Sequence, residues 1–500
     1  MVMEFLLKLK KRPFLFLFIF LAMGIVFSYW IAIRVNVAFL VIIMLGALFC
    51  IITIDKKFTF FIGVILFILG IILYQLQFTQ ESRLVPLTKD HHYGIAKVLR
   101  DPIKGDFNWQ VDIKVTKLQT NKWEMKLQEK ARLLIYHDGD TPPMKGGQWI
   151  KLKDISSYEY IEGYRPEGYN LYLKSNRIDH ILSASANSIE VIDTVKWNPL
   201  ISSLRFKGIA EEIFDQTLGY NQGSLAKSMV FGNQGYLSEE VLKTFSRSGT
   251  AHVIAISGLH VGIIILILGR AMAWMGFSKN TGYLISLALL LIYGYIAAFP
   301  VSIIRAIAMF GVFILGYNLH RPYDSINGLS AIAFIILLFN PIAIFSVSFQ
   351  LSFAATMGII LLYPKLNKLF AFVPKVIGGL LAVTISAQLA TIPIIAYHFK
   401  EISIVAWLAN LLIVPFMSII LGLALFSIIL GILNLSFAVI INQLTNLLLS
   451  YTLWVVEFLS SFNYSSIEIT NINVITFITY YIFLIVIYHL SSKRIWGTNK

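Results

Sequence analysis

The chain has 500 residues, of which 57% are hydrophobic and only 14% are charged, and its mean hydropathy is +0.73. Soluble domains carry about a quarter charged residues, so this composition excludes an ordinary soluble protein and predicts a polytopic membrane protein. The net charge of +14 supports nucleic-acid binding only weakly, because lysine and arginine also accumulate in cytoplasmic loops. The single cysteine, Cys50, excludes an intrachain disulfide and a cysteine-based zinc site.

Three apolar runs begin the chain and predict N-terminal transmembrane helices within residues 1–78. The runs comprise residues 14–33, 35–54 and 58–78. The first run follows the basic stretch 8–12 and lacks a small-residue cleavage site, which predicts an anchor rather than a signal peptide. Because Lys56 and Lys57 precede the third run, the positive-inside rule places the N-terminus in the cytoplasm and the following segment outside it.

Residues 79–197 are predicted to form a small extracytoplasmic β domain. The stretch NWQVDIKVTKL alternates apolar and polar residues from Trp109 onward, which is typical of a half-buried strand. Further strand-like stretches and a short helical stretch at 169–175 favour a small, partly open β-barrel that resembles an OB-fold. OB-folds often bind single strands, yet acidic and basic residues nearly balance here. Nucleic-acid contact and a packing or assembly role therefore both stay open.

Residues 198–250 are predicted to form amphipathic and interfacial helices at the membrane surface. Apolar residues recur among charged ones from 201 to 218, which is typical of a helix that lies on a membrane. Ser238 is expected to cap a short helix whose first turn holds Glu239 and Glu240, since the positive end of a helix dipole favours carboxylates.

Residues 251–500 are predicted to form a multi-span domain. The expected spans are 251–270, 281–299, 301–319, 326–345, 347–363, 377–397, 402–432, 436–460 and 472–491. Several are interrupted by glycine or proline, and two are expected to be re-entrant, because an outside β domain and an inside tail require an odd number of crossings. The basic tail, with Lys493, Arg494 and Lys500, places the C-terminus in the cytoplasm.

Polar residues recur within these apolar runs and are the first candidates for a functional site. They are Arg305, Gln350, Ser352, Gln388 and Asn410. Each is unfavourable in hydrocarbon unless it faces water or a partner. Taken singly, an amide can link two helices and a proline can kink one. Taken together, in spans interrupted by proline, they predict a lined, water-filled passage.

The stretch SRSGTAHVIAISGLHVG adds His252, Ser257, Gly258 and His260 at the start of an apolar run. On one helix the two histidines would lie about 12 Å apart along the axis, too far to share a metal ion. Ser257 and His260 could act as nucleophile and base, but no acid in the run would orient the imidazole. The serine and glycine pair is therefore expected to break the helix and turn His260 toward a cavity. Hydrolase and nucleotide-binding motifs are missing from the sequence, so no catalytic residue, metal or cofactor is predicted.

The same stretch resembles the signature of the ComEC family of competence proteins. The resemblance continues in order through LAKSMVFGNQGYLSEEVLKTFSRSG, PVSIIRAIAM, NPIAIFSVSFQLSFAATMGIILLYP and SAQLATIPIIAYHFKEISIVAWLANLLIVPF. It covers about residues 200–430. The segment 79–197 is similar to the extracytoplasmic OB-like domain of that family, although Arg165 and Pro166 depart from the turn that the family usually has.

The resemblance implies a channel in the bacterial cell membrane that imports single-stranded DNA during natural transformation, and not an enzyme. It implies a membrane-bound DNA receptor and a cytosolic helicase-like ATPase as partners. Membrane lipid and a second copy of the chain, in a homodimer, are further candidate partners, and the sequence leaves dimerisation open. Many members of the family continue into a metallo-β-lactamase-like domain, whose ligand motifs are missing here. We therefore expect neither a metal site nor nuclease activity.

Two other classes of function stay open at this point. A secondary transporter of a small anion would also use broken helices and a buried arginine, and a membrane-embedded hydrolase would need Ser257 or His260 for turnover. In a DNA channel, Arg305 is the expected phosphate contact, while His252, Ser257 and His260 would shape the entrance or the constriction. This hypothesis requires a route with room for one nucleic-acid strand.

Overall fold

A computed structural model describes residues 12–31, 40, 58–79, 93–99, 102–104, 108–119, 124–136, 144, 146–153, 156–160, 168–192, 199–297, 299–320, 324–469 and 472–496. The helices are α1 (Pro13–Ile31), α2 (Phe58–Thr79), α3 (Gly168–Ser175), α4 (Pro199–Thr217), α5 (Tyr220–Phe231), α6 (Glu239–Arg247), α7 (Ala251–Ile254), α8 (Gly258–Trp274), α9 (Lys279–Ile296), α10 (Val301–Asn318), α11 (Ser325–Phe339), α12 (Val347–Leu369), α13 (Lys375–Phe399), α14 (Ala406–Leu433), α15 (Leu435–Ser460) and α16 (Val474–Trp496). The strands are β1 (Tyr93–Val98), β2 (Ile103–Lys104), β3 (Trp109–Gln119), β4 (Glu124–Tyr136), β5 (Trp149–Leu152), β6 (Ser156–Tyr160), β7 (His180–Ser185), β8 (Ile189–Ile192), β9 (Glu401–Ser403) and β10 (Ser466–Glu468). Short 3₁₀ turns lie at Ala186–Ser188, Gln234–Tyr236 and Pro341–Phe345.

Six of the described helices are long and apolar enough to cross a membrane, namely α1, α10, α12, α13, α14 and α15. Shorter apolar stretches lie in α2, α8, α11 and α16. The predicted run 35–54 lies outside the described residues, apart from Leu40. The chain is therefore a polytopic helical membrane protein that also carries a sheet domain, as its composition predicts.

Prolines do not interrupt two of the spans where the sequence predicted a break. Helices α13 and α14 continue through Pro393 and Pro415. A proline cannot donate to the carbonyl four residues earlier, which for Pro393 is the carbonyl of Leu389. Tyr480 on α16 donates its hydroxyl to that carbonyl at 2.9 Å. A neighbouring helix thus satisfies the backbone group that the proline frees.

The chain divides into two compact units, and residues 1–207 with 327–346 form the first. Within it, α1 packs along α2, and the 3₁₀ turn Pro341–Phe345 that follows α11 contacts both helices. Tyr29 of α1 stacks on Phe345 of that turn with 4.2 Å between ring centroids. Helix α11 therefore belongs with the N-terminal helices, although about 250 residues separate them in the sequence.

The β domain is built on one eight-stranded sheet in the order β6-β7-β4-β3-β1-β5-β8, with β2 beside β3. The β4 and β7 pair is parallel, and the other pairs are antiparallel. Alternate residues such as Val111, Ile113 and Leu133 face a buried core, with the period of two that the sequence predicted. Among the described strands no pairing joins the two ends of this order, so the predicted OB-like barrel is not confirmed.

The second unit comprises residues 208–326 and 347–500. Its core is formed by apolar residues of the helices between α4 and α15, including Phe214, Leu225, Phe245, Ile303 and Ile413. At its surface, Ser238 caps α6 by accepting a hydrogen bond from the N–H of Val241 at 3.4 Å, and both predicted glutamates lie in the first turn. This cap was predicted from the sequence.

Candidate functional site

The run that starts at residue 251 does not form one helix, because α7 stops and α8 begins four residues later. Ala255 and Ser257, between the two helices, have extended backbones. Ser302 on α10 donates its hydroxyl to the carbonyl of Ile256 at 2.7 Å, which satisfies a backbone group that the break leaves outside both helices. The break falls at the serine and glycine pair, as the sequence predicted.

Ser257 and His260 contact each other at the start of α8. The hydroxyl of Ser257 lies 2.9 Å from Nδ1 of His260, and the Ser257 N–H donates to the same nitrogen at 3.3 Å. Because Nδ1 accepts a backbone N–H, we assign the ring proton to Nε2. His260 is 2% exposed, and its Nε2 has no hydrogen-bond partner among the described residues. The site therefore holds a buried donor that an incoming acceptor can use.

Arg305 on α10 reaches across to α12 within the second unit. Its side chain is 7% exposed, and its Nη1 donates to the carbonyl of Ser352 and, at 2.5 Å, to the hydroxyl of Thr356. The ring of Phe353 lies 5.9 Å from the guanidinium carbon. The Nε of Arg305 has no hydrogen-bond partner among the described residues. The guanidinium is thus held in place while one of its donors stays unused.

Gly258 lets Arg305 approach the first turn of α8. A Cβ at residue 258 would lie 2.6 Å from Nη2 of Arg305, so a side chain at this position would displace the guanidinium. The N-terminus of a helix is electropositive, and within the described part of the chain no carboxylate contributes to the electrostatics of Arg305. Two electropositive groups, the guanidinium of Arg305 and the first turn of α8, therefore lie together. Such a pairing of arginine with a helix N-terminus suits an anionic oxygen.

The other predicted residues lie on helices α7, α12, α13 and α14. Oε1 of Gln350 accepts a hydrogen bond from Nε2 of His398 at 2.9 Å, which links the start of α12 to the end of α13. Asn410 on α14 is 6% exposed, and its Oδ1 has no partner in the described residues. Gln388 is half-buried on α13. His252 lies on an exposed side of α7.

Gly249 fixes the position of the segment that leads into α7. Its φ is +73°, and a Cβ there would lie 2.3 Å from the Cβ of Ala406 and 2.9 Å from that of Ser403. Ser248 and Thr250 on either side are fully buried and hydrogen-bonded to each other at 2.7 Å. Only glycine fits this conformation and this space, so the SGT segment packs directly on the start of α14.

The predicted water-filled passage stays a prediction, because the small cavities among the described residues lie away from the residues expected to line it. The best-defined cavities measure about 20 and 10 Å³. Both lie beside α6 and α15, where Val241 and Leu453 line each of them. None of the predicted passage residues lines either cavity.

Among the described residues, no group of three or more histidine, cysteine, aspartate or glutamate side chains is placed to hold a metal ion. The Ser257 and His260 contact is the geometry of a nucleophile and a base, but a triad also needs an acid on the second ring nitrogen. That nitrogen has no partner in the described part of the chain. The absence of a metal site and of nuclease activity stays a prediction.

Comparison with known families decides the class of protein. The model of the family described as "Competence protein" matches residues 229–494, which is more than half of the chain. The chain belongs to the competence protein family. The match contains the cluster of Ser257, Gly258, His260 and Arg305 and does not include the β domain.

Individual relatives of this competence protein are similar over part of their length. ComE operon protein 3 of Bacillus subtilis is 33% identical over 192 residues, covering 38% of this chain and 24% of that protein. Recombination protein 2 of Haemophilus influenzae is 27% identical over 329 residues, covering 61% of this chain and 40% of that protein. An uncharacterised protein of Aquifex aeolicus is 28% identical over 244 residues, covering 48% of this chain and 55% of that protein. The chain thus spans between about a quarter and about half of these relatives. No solved structure matches it.

Three residues of the cluster in this competence protein were not predicted from the sequence. Thr356 holds Arg305 beside the Ser352 carbonyl, Phe353 lies against the guanidinium, and Ser302 fixes the helix break. A signal for two of them was present, because Ser302 precedes Arg305 by three positions and Thr356 follows Ser352 by four. Residues with these spacings share one face of a helix. Ser352 contributes its backbone carbonyl rather than the hydroxyl that drew attention to it.

Proposed function

We propose that the chain forms a passage for single-stranded DNA across the bacterial cell membrane during natural transformation. The observation that supports the proposal best is the burial of Arg305 against the first turn of α8, with no carboxylate in its surroundings among the described residues. A cation buried without a counter-ion is unfavourable in a membrane protein. A passing phosphate would supply that counter-ion, and membership of the competence protein family supports DNA as its source.

The cluster offers a phosphate several donors at once. They are the unused Nε of Arg305, the Nε2–H of His260 and the electropositive first turn of α8. An anionic oxygen attracts a guanidinium more strongly than a neutral acceptor does. The phosphate would therefore displace the Ser352 carbonyl and the Thr356 hydroxyl as acceptors of Arg305.

Passage of a strand between α10 and α12 requires these two helices to separate, since Arg305 on α10 is hydrogen-bonded to Ser352 and Thr356 on α12. Arg305 provides hydrogen bonds between these two helices. When a phosphate takes over the guanidinium, it removes the same bonds that hold the route closed. We therefore interpret the described conformation as a closed state that DNA itself opens.

The domain organisation and the orientation belong to the same proposal. Its parts are the N-terminal helices within 1–78, the extracytoplasmic domain 79–197, the interfacial helices 198–250 and the channel domain 251–500. Both termini are cytoplasmic by the positive-inside rule. An OB-like form of the β domain is supported by β5 and β6, which are consecutive in the chain and pair with β1 and β7. One bent strand made of both would bring the ends of the strand order together.

The partners are proposed from chemistry and family membership. A strand needs delivery from outside, which we assign to a membrane-bound DNA receptor, and a driving force. Because the sequence has no nucleotide-binding motif, we assign that force to a cytosolic helicase-like ATPase. We propose no catalytic residue and no cofactor, and we consider a homodimer as the assembly that would enlarge the route.

Substitution of Arg305 tests the proposal in a strain that depends on this protein for transformation. Arg305→Ala should abolish uptake of labelled DNA while the abundance of the protein in the membrane is unchanged. Arg270→Ala, at an exposed position near the end of α8, is the matched control and should change neither quantity. Arg305→Lys keeps the charge and should retain part of the uptake.

The outcome that would contradict the proposal is a loss of abundance that accounts for the loss of uptake, since Arg305 would then be structural. Efficient import by Arg305→Ala would contradict it as well. Concentrative uptake of inorganic phosphate into proteoliposomes, blocked by the same substitution, would instead favour a secondary transporter of a small anion.

A membrane-embedded hydrolase is a second candidate because Ser257 and His260 are in contact at 2.9 Å. The buried position of His260 and the unoccupied second nitrogen in the described residues favour it less than import. Without an acid to orient the imidazole, general-base activation of the serine would be weak.

A further inference from the structure

Helix α3 of the β domain and the apolar helix α11 each cap the end of the other. Arg177, two residues after α3, donates from Nη2 to the carbonyl of Phe339, the last residue of α11, at 2.6 Å. Asn340, directly after α11, donates from Nδ2 to the carbonyl of Ser175, the last residue of α3, at 2.7 Å. Both carbonyls belong to the last turn of a helix, where the helix itself supplies no donor. This pair of hydrogen bonds is called here the cross-cap.

Arg177 adopts a backbone conformation that favours glycine. Its φ is +59°, and its N–H donates to the carbonyl of Lys174 at 2.9 Å. The N–H of Ile178 donates to the carbonyl of Leu173, also at 2.9 Å. This left-handed turn commonly ends a helix, and glycine adopts it with the least strain. An arginine is less favourable for the turn itself, but its guanidinium brings positive charge to the electronegative ends of two helices.

Helix α11 is held within the first unit at both of its ends. At its start, Oδ1 of Asn327 accepts a hydrogen bond from the N–H of Phe14 on α1 at 3.0 Å. After its end, the ring of Phe345 stacks on Tyr29 of α1 and lies edge-on to Tyr74 of α2, with 6.3 Å between the latter two centroids. The cross-cap adds the β domain to these contacts. Helix α11 therefore links the β domain to α1 and α2.

The chain also joins α11 directly to the helices that carry the Arg305 cluster. Helix α10 precedes α11 and helix α12 follows it, and both belong to the second unit. Ser346 is the last residue of this part of the first unit, and α12 begins at Val347. Ser352 and Thr356, within the first three turns of α12, accept from Arg305, and these two bonds are called here the latch. A shift of α11 is transmitted to the start of α12, because Ser346 and Val347 are consecutive.

The cross-cap and the latch are similar in strength. Each consists of two hydrogen bonds, and in each a guanidinium donates to a main-chain carbonyl. Hydrogen bonds from a charged donor are the stronger ones in proteins. The stacking of Phe345 on Tyr29 supports α11 in addition to the cross-cap. A displacement of the β domain can therefore weaken the latch before the cross-cap breaks.

We propose that Arg177 and Asn340 are positioning residues that couple the β domain to the Arg305 cluster, so that a displacement of the β domain moves α11 and, with it, the start of α12 away from Arg305. The proposal rests on the proposed import function and assigns control of the route to α11. Contact with the partner that delivers the strand would supply the displacement. The coupling weakens the latch, and the arriving phosphate then takes over the guanidinium.

Substitutions in the cross-cap test the coupling in a strain that depends on this protein for transformation. Arg177→Ala should lower uptake of labelled DNA about tenfold, the effect of one charge-assisted bond on an equilibrium, while the abundance of the protein in the membrane is unchanged. Asn340→Ala should act in the same direction through the other bond. Arg177→Lys keeps the charge and should retain part of the uptake. Lys153→Ala, at an exposed lysine of the β domain that pairs with Glu190 at 3.3 Å, is the control and should change neither quantity.

Thr356→Val distinguishes a coupling role of the cross-cap from a structural one. It removes one acceptor of the latch, so α12 needs a smaller displacement of α11 to separate from Arg305. In the Arg177→Ala background it should restore uptake toward that of the unsubstituted protein. A cross-cap that only stabilised the β domain would gain nothing from a change at residue 356, which lies in the other unit. In the Arg305→Ala background the same substitution should restore nothing, because the phosphate contact itself is missing.

Three results would overturn the coupling. They are normal uptake by both Arg177→Ala and Asn340→Ala, a loss of abundance that accounts for the loss of uptake in both, and failure of Thr356→Val to restore uptake in the Arg177→Ala background. Each of these results leaves the assignment of Arg305 standing if Arg305→Ala still blocks import. Normal import by Arg305→Ala would instead contradict the proposed function.

Discussion

Gly249 and Gly258 lie on either side of the short helix α7, and each is required by a contact. Gly249 adopts a left-handed backbone and touches the start of α14, while Gly258 makes room for the guanidinium of Arg305. The sequence showed glycines in an apolar run and so predicted a break. It could not reveal the contacts, because Ala406 and Arg305 come from distant parts of the chain.

Gly249→Ala is expected to lower the abundance and the unfolding temperature of the protein. A left-handed alanine costs about 1–3 kcal/mol, and overpacking against Ala406 adds a term of similar size. Gly262→Ala on α8 is the control, because nothing lies within 4 Å of a Cβ there. Detergent-solubilised protein followed by thermal unfolding gives the comparison, and equal unfolding temperatures would refute the packing role of Gly249.

Ser257→Ala distinguishes a helix cap from a nucleophile. Loss of the bond to His260 at the start of α8 should cost about 0.5–2 kcal/mol of stability. We expect lower abundance but a normal amount of DNA imported per molecule of protein. Transformation frequency measures the import, and quantitative immunoblotting measures the abundance of the protein. Complete loss of import at full abundance would contradict a purely capping role for Ser257.

At the scale of elements, the pairing of α16 with α13 explains how a proline is accommodated within a span. Tyr480 and Tyr481 donate to the carbonyls of Leu389 and Ala390 at 2.9 and 2.8 Å. The carbonyl of Leu389 has no donor within its own helix, because Pro393 lacks the N–H that would bond to it. Two adjacent hydroxyls of α16 thus join it to α13 at the point where the backbone is open.

Tyr480→Phe is expected to destabilise the protein by about 1–3 kcal/mol, because it leaves the half-buried carbonyl of Leu389 without a donor. In a Pro393→Ala background the N–H of residue 393 bonds to Leu389, so the same substitution should cost much less. A double-mutant cycle on unfolding temperature measures this coupling. Additive effects of the two substitutions would show that Tyr480 does not compensate for Pro393.

The helices themselves were largely predictable, because long apolar runs and the cap at Ser238 depend on local sequence alone. The continuity of α13 through Pro393 was not, because it depends on a tyrosine 87 positions away in the chain. The grouping of α11 with α1 and α2 could not be predicted either, since the sequence of an apolar helix does not indicate which helix it packs against. In the β domain the alternation predicted the strands, whereas the order in which they pair emerged only from the structure.

At the scale of the whole molecule, the account places a polyanion contact at Arg305. The sequence identified Arg305, His260 and Ser257 as residues of interest because polar groups are rare in apolar runs. It did not predict that they would be packed closely, nor that Gln350 bonds to His398. An open route was expected from the polar residues within interrupted spans, and it stays a prediction.

The most direct test of the central claim is to ask whether DNA in transit touches the Arg305 cluster. A photo-crosslinking phenylalanine analogue is placed at Phe353, whose ring lies 5.9 Å from the guanidinium, and as a control at Phe313, which is 37% exposed on α10. Cells importing labelled DNA are then irradiated. The account predicts a DNA adduct at position 353 and none at 313, and the adduct at 353 disappears in Arg305→Ala. Import that proceeds normally without an adduct at position 353, or with equal adducts at both positions, would contradict it.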